Sequence, residues 1–450
     1  GTSGGNVLDE SATACCIGTL GSLLSRGGSF FLLSNNHVLG RSDAAPAVSS
    51  SDVIDQPGPS QCFALPVNMG TTTTRAALKP TAGTTGPAPS NVDAAIALLS
   101  STTVVDNLAG VPTGTILDLG AAGPTSIADA PPSATLATPA VSLGVAKSGR
   151  TTGLTCSSIG SISTSVSVQY DTACGGTLAF TATFSNQLLI DGGTFSAGGD
   201  SGSLVVTSAQ ARPVGLLYAG NSTSTAANPI QDVITAFTLA GPPAVVPTIV
   251  GGADHAVSCV PTSTAGTQVS AQSTQISTRQ QEIAANARDR NARLLMSLDP
   301  AIRSVQTGAS ADSPSEGALL IEVSAVPQTR IPAAVDGVRT KLVYAQGAAA
   351  PALSNQDVDR TIAIKDAHVA GLMAQAGIQG VGVGASKDNP GEPAIVIYTI
   401  EGVSLPPIPA TIDGVRTRVV EGDRFRAFGW NAHLETKSAG CAKPKAASAK

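Results

Sequence analysis

The chain has 450 residues, of which 13% are charged and 3% aromatic, with a formal net charge of −5. Globular proteins carry about 25% charged residues, so the core here must be aliphatic and much of the surface Ser, Thr and Gly. The acidic balance and the lack of Lys/Arg clusters interleaved with aromatics argue against a nucleic-acid partner, and no apolar run of about 18 residues offers a membrane span.

Charge is uneven along the chain. Residues 1–250 hold 7 Lys/Arg and 13 Asp/Glu, whereas residues 251–450 hold 19 and 18. This step predicts two modules. The first residue is Gly1, not Met, which reads as a processed or trimmed terminus. Between residues 15 and 240, short apolar runs alternate with Gly, Ser, Asn and Pro clusters. The runs at 17–24, 30–33, 94–99, 159–170, 178–184, 187–190, 203–207 and 213–218 read as strands of an all-β barrel or sandwich. A Pro/Ala/Gly-rich stretch at 108–139 divides this unit into two halves. Residues 241–273, with Gly241-Pro242-Pro243 and Pro261-Thr262-Ser263-Thr264, read as a linker.

From residue 274 the pattern changes. Ile283, Ala287, Leu294, Leu295 and Leu298 lie among charges at helical spacing, which predicts an amphipathic helix over 280–298. An internal repeat follows. Ile331-Pro332-Ala333 with Asp336-Gly337-Val338-Arg339-Thr340 matches Ile408-Pro409-Ala410 with Asp413-Gly414-Val415-Arg416-Thr417, and Gly308-Ala309-Ser310 matches Gly384-Ala385-Ser386. Each copy reads as helix, strand, turn, strand, then loop and strand, so 274–440 is expected to be a duplicated αβ accessory domain. The tail at 441–450 reads as disordered.

The seven cysteines are Cys15, Cys16, Cys62, Cys156, Cys174, Cys259 and Cys441, with no C-x-x-C pair. Scattered cysteines in a charge-poor chain suit an oxidising compartment, so a secreted or cell-envelope protein is expected. Buried thiols in a cytosolic protein are the alternative.

Three segments of the β-rich half point to chemistry. An apolar strand runs through Ser34-Asn35-Asn36 into His37, which is the sole histidine of the first 254 residues. Asp93 opens the apolar run 94–99. Ser201 stands in Gly198-Gly199-Asp200-Ser201-Gly202-Ser203 before another apolar run. A hydroxyl is a weak nucleophile at neutral pH and needs an adjacent base. Histidine titrates near neutrality, and a carboxylate must hold its tautomer and stabilise the imidazolium. Glycines around Ser201 let the backbone turn tightly, so that the Gly199 and Ser201 N–H groups converge on a developing oxyanion.

With the order His37, Asp93, Ser201, these segments resemble chymotrypsin-fold serine peptidases, a family of two six-stranded barrels. Ser34-Asn35-Asn36-His37-Val38, Lys147-Ser148-Gly149-Arg150-Thr151-Thr152-Gly153 and Gly198-Gly199-Asp200-Ser201-Gly202-Ser203 resemble, more narrowly, bacterial trypsin-like relatives of the plant narrow-leaf proteins. The resemblance covers about residues 1–240. It implies an all-β double barrel, which the α+β domain read from the two repeats would follow, and a serine endopeptidase acting through an acyl-enzyme. It implies no cofactor, no metal, and a protein or peptide partner; an oligomer is left open. Cys15 or Cys16 with Cys62 would serve the first barrel, and Cys156 with Cys174 the second, if geometry allows. Phe195 would sit near the floor of the specificity pocket and the strand ending in Ala219 and Gly220 would form its wall. No acid stands at that floor position, so apolar or small side chains are expected over Arg and Lys.

Ile249-Val250-Gly251-Gly252 looks like the start of a mature trypsin, where the freed amine pairs with the aspartate before the serine. Here it follows Ser201, so the partner of Asp200 is open. Asp312, Glu316, Asp388, Asn389 and Glu392 offer too few ligands for a calcium loop, and His255, His368 and His433 lie far apart. Asn221-Ser222-Thr223 is a glycosylation sequon. The alternative to an enzyme is a non-catalytic or self-processing peptidase-fold protein whose repeats bind a partner or regulate the barrel.

Overall fold

The computed structural model describes residues 2–9, 17–43, 52–57, 67–81, 83–123, 126–171, 177–259 and 276–427. Cys15, Cys16, Cys62, Cys174, Cys441, His433 and the tail lie outside the described residues, as does the expected pairing of Cys15 or Cys16 with Cys62.

The first sheet has eight antiparallel strands in the order Thr248–Ile249, Ser22–Arg26, Ser29–Ser34, Ala95–Leu99, Val67–Arg75, Val53–Gln56, Thr2–Asn6 and Gly18–Leu20. The last of these is joined to Ser22–Arg26 through Gly21 alone, so the sheet curls back on itself as a barrel. Its core is aliphatic, with Leu24, Leu33 and Ile96 fully buried. The second sheet contains a closed ring of six strands: Gly144–Gly149, Gly153–Asp171, Leu178–Asp191, Ser224–Pro229, Pro213–Gly220 and Leu204–Thr207. Alternation along Gly153–Asp171 sets which side chains face in. Val166, Val168 and Tyr170 are buried, whereas Ser165, Ser167 and Gln169 are half-buried.

Part of the segment read as a linker lies against the barrels. Thr248 and Ile249 pair with Ser25 and Leu24. Asp254 makes an ion pair with Arg212, and Cys259 forms a disulfide with Cys156 across a Cα–Cα distance of 5.8 Å. This pairing replaces the expected Cys156–Cys174 bond. The segment after the second barrel returns along its wall and brings Cys259 to a partner 103 residues away in sequence.

Beyond it, two units share one order of elements. The first has helix Thr278–Leu298 and strands Ile302–Ala309, Gly317–Val323, Ala334–Val335 and Val338–Tyr344. The second has helix Asn355–Met373 and strands Ile378–Ala385, Pro393–Ile400, Thr411–Ile412 and Val415–Gly422. Ser277 and Ser354 cap the two helices by accepting from Gln280 N–H and Asp357 N–H. The units clasp each other reciprocally. Ser310 Oγ donates to Asp388 and Ser386 Oγ to Asp312. Arg339 donates to the Thr417 carbonyl at 2.6 Å, and Arg416 to the Thr340 carbonyl at 2.7 Å. Burial, then Asp388, pushes the Asp312 carboxyl above its ordinary range.

The second unit also joins the barrel. Ile378–Ala385 pairs antiparallel with Gly153–Asp171, running from Ser161↔Gly384 to Val166↔Gly380. Tyr398 Oη and Ser161 Oγ meet at 2.8 Å, and Lys365 Nζ donates to the Ser163 carbonyl. The second unit's four strands, with Thr85–Pro87 at the other edge, therefore extend the second barrel's six to a sheet of eleven.

Candidate functional site

His37 lies on the short helix Asn36–Leu39, which follows strand Ser29–Ser34 directly and is fully buried. Asp93 sits just before strand Ala95–Leu99, the neighbour of Ser29–Ser34 in the sheet. That adjacency brings His37 Nδ1 within 2.5 Å of Asp93 Oδ2. Asp93 is fully buried and well bonded. Its Oδ1 accepts from Asn36 N–H at 2.8 Å and His37 N–H at 3.3 Å. Its backbone is held by Asn35 and Asn228. A buried carboxylate needs such donors to remain charged.

Tyr170, which carries no motif in the sequence, completes this shell. Its Oη donates to Asp93 Oδ2 at 2.9 Å, and its ring meets His37 edge-on at a centroid distance of 6.1 Å. Burial, then the charge of Asp93, pushes its phenol well above the ordinary value, so it remains a donor. The sole sequence signal was an inward position in an alternating strand.

Ser201 lies on the turn from the second barrel. Strand Gly18–Leu20 ties this turn to the first barrel. Thr19 N–H donates to the Ser201 carbonyl at 2.8 Å, Thr19 Oγ1 to the Gly199 carbonyl, and Ser34 Oγ to the Thr19 carbonyl. Gly199 has φ +93°, and a Cβ there would collide with Arg150 and Thr151, so the position requires glycine. Among the described residues, neither Gly199 N–H nor Ser201 N–H donates to an acceptor. The hydrogen bond of Ser201 Oγ goes to the Ala427 carbonyl at 3.2 Å.

Asp200 has a buried partner. Lys147 Nζ lies 3.4 Å from Asp200 Oδ2, both side chains being fully buried. Lys147 also donates to the Gly153 carbonyl and to Thr152 Oγ1. Asp200 accepts from Thr151 N–H, Thr152 Oγ1 and Ala197 N–H. Desolvation lowers the lysine to about 8, against the raising effect of Asp200. An internal ammonium thus faces Asp200.

Phe195, Ala219 and Gly220 all lie in the second barrel, and Ser196, next to Phe195, bonds Thr225, the pairing partner of Gly220. Phe195 is buried among Val145, Leu188, Ile190 and Leu217. It lines a cavity of about 410 Å³ together with Leu154, Asp191 and the Cys156–Cys259 bond, a lining that does not include Ala219 or Gly220. Gly220 instead forms both of its main-chain bonds with Arg426. Asn221, in the sequon, is buried, with its amide on the Asp423 carbonyl. His255 bonds the Pro131 carbonyl and His368 pairs with Asp413. Among the described residues, no group of three His, Cys, Asp or Glu could hold a metal ion.

No protein-family model matches the chain, and no curated protein matches it. Solved structures do. A glutamic-acid-specific serine protease that uses a histidine triad in substrate binding aligns with 54% of this chain and 97% of its own, at 17% identity and a TM-score of 0.34. Alpha-lytic protease homolog N4 aligns over 53% and 95%, at 18% and 0.33. Protease A of Thermobifida fusca aligns over 52% and 92%, at 16% and 0.32. Likeness at this level is partial and leaves the chemistry to be read from this chain's own residues.

Proposed function

We propose that this protein is a serine endopeptidase, with Ser201 as nucleophile and His37 as general base. The observation that carries the reading is the buried Asp93–His37 pair at 2.5 Å; the turn that carries Ser201 is tied through Thr19 to Ser34, at the end of the strand before His37. His37 takes the Ser201 proton as Oγ attacks a peptide carbonyl carbon. Asp93 holds the imidazole with its Nδ1 proton inward and stabilises the imidazolium. The Gly199 and Ser201 N–H groups receive the oxyanion, each contributing about 3–4 kcal/mol to the transition state. The imidazolium then protonates the leaving amine, and water hydrolyses the ester with His37 again as base. Lys147 holds Asp200, and through it the turn, without any new chain terminus.

Two barrels meeting at these residues support the reading, as does a disulfide suited to an oxidising, secreted setting. Among the described residues no helix is long and apolar enough to cross a membrane. The narrower kinship with relatives of the narrow-leaf proteins rests on the three motif strings alone. The boundaries 1–240, 241–273 and 274–440, and an accessory role for the repeats, belong to the same proposal. Ser201→Ala is expected to abolish peptide hydrolysis and fluorophosphonate labelling while thermal unfolding stays unchanged. Labelling of that variant at the wild-type rate would refute the assignment.

A further inference from the structure

Residues 423–427 leave the last strand of the second repeat and enter the second barrel. Their root is fixed. Asn221 Nδ2 and Gln379 Nε2 donate to the Asp423 carbonyl, Ser222 N–H donates to Asp423 Oδ1, and Phe425 N–H donates to Gln379 Oε1. The next residues are bonded on both edges. On one side Gln169 N–H donates to the Phe425 carbonyl at 2.9 Å, and Ala427 N–H donates to the Gln169 carbonyl at 3.1 Å. On the other, Gly220 N–H donates to the Arg426 carbonyl at 3.1 Å, and Arg426 N–H donates to the Gly220 carbonyl at 3.0 Å. The segment runs antiparallel to Gly220 and parallel to Gln169. Its side chains alternate: Phe425 and Ala427 are buried beside Tyr170, Tyr218 and Ala219, while Arg426 is exposed. The strand ends at the nucleophile, where Ser201 Oγ donates to the Ala427 carbonyl.

We propose that residues 423–427 are an intramolecular pseudosubstrate, filling the groove between Gln169 and Gly220 and silencing Ser201 until an extended peptide displaces them. This rests on the serine peptidase reading. Main-chain pairing on two edges is how an extended peptide is bound by strand addition. The Ala427 oxygen, however, is at the Ser201 hydroxyl and not at the Gly199 and Ser201 N–H groups. The carbonyl is therefore not polarised for attack, and the hydroxyl proton is committed to it. The displacing peptide should copy the pattern of the segment: apolar inward, any side chain outward, then small inward.

The test is Arg426→Pro in the full chain, which removes the N–H bonded to Gly220 and restricts the residue before it. The Arg426 side chain is exposed, so the core loses nothing. Fluorophosphonate labelling and hydrolysis of a mixed peptide pool are expected to rise at least 10-fold. A synthetic peptide of residues 421–428 should return both to the wild-type rate, and its reversed sequence should not. Equal rates in the wild type and the variant overturn the occlusion and leave the peptidase reading standing. No labelling in either overturns both. Hydrogen exchange on full-length Ser201→Ala tests the occlusion independently of how the proline variant folds. Arg426 and Ala427 amides should be as protected as those of Leu216 and Leu217, and free exchange at either overturns the proposal.

Discussion

Replacing Lys147 by Met keeps the length of the side chain and deletes the charge that faces Asp200. At 3.4 Å and an effective dielectric of about 20, the pair attracts by about 5 kcal/mol. That attraction is already contained in the fall of the lysine from 10.5 to about 8, in which burial outweighs Asp200, a net penalty on the charged form of roughly 3 kcal/mol at about 1.4 kcal/mol per pH unit. The pair as a whole therefore adds little, while either half alone is costly. Lys147→Met should lower the unfolding free energy by about 3–5 kcal/mol, the usual cost of stranding a buried charge. Lys147→Met with Asp200→Asn should recover about 2 kcal/mol or more of the summed single losses. Urea unfolding at pH 7 measures this, in a Ser201→Ala background that prevents self-digestion. Losses that add within about 0.5 kcal/mol mean uncoupled residues and refute the reasoning.

Three further outcomes follow from the same geometry. Peptide hydrolysis should fall as pH rises through about 8, where Lys147 loses its proton and Asp200 its counter-ion. Between about 8 and 10.5 the unfolded chain holds that proton and the folded chain does not, so this group's contribution to stability rises with pH across the window; the neutral amine, unlike a methionine, still donates to Thr152 Oγ1 and the Gly153 carbonyl. Activity lost without a fall in the melting temperature is the signature, and parallel losses contradict it. Tyr170→Phe should cost about 1.5–3 kcal/mol of stability, the worth of a hydrogen bond to a charged group. Urea unfolding in the Ser201→Ala background measures this, and a loss within about 0.5 kcal/mol leaves Tyr170 a packing role only. Gly382→Gln should detach Ile378–Ala385 from the barrel, read as a loss of exchange protection at Ser161 and Val166, and retained protection would show that the pairing tolerates a side chain there.

What the sequence shows about this site depends on the type of interaction. Ser34-Asn35-Asn36-His37, Asp93 and the glycines around Ser201 stand out because their chemistry is rare in a chain so poor in charge. The many short strands were readable from apolar runs separated by turn residues, although not the eight-stranded count of the first sheet, two members of which are only two or three residues long. Lys147 looked like part of a motif string, since nothing local shows that its ammonium faces an aspartate 53 positions later. Tyr170 reads as one more inward residue of a β-strand. The Cys156–Cys259 bond and the strand at 425–427 were not legible, because both depend on where a distant segment returns.

The two repeats present the same edge to the world and put it to different uses. In the second copy that edge, Ile378–Ala385, reads Gly380, Gly382 and Gly384 on alternate positions and lies on the barrel. A Cβ at Gly382 would collide with Thr164 Oγ1. The matching positions of the first copy are Ser304, Gln306 and Gly308 in Ile302–Ala309, an edge with no partner strand among the described residues. Its side chains, with exposed Arg303 and Gln306, guard it against strand addition. After the duplication, then, the copies ceased to be interchangeable. Of the two positions where the copies differ, a Cβ would collide only at Gly382, whereas at Gly380 it would stand 3.3 Å from the nearest atom; the copy that docks is the one whose exit, at Gly422, leads to the serine.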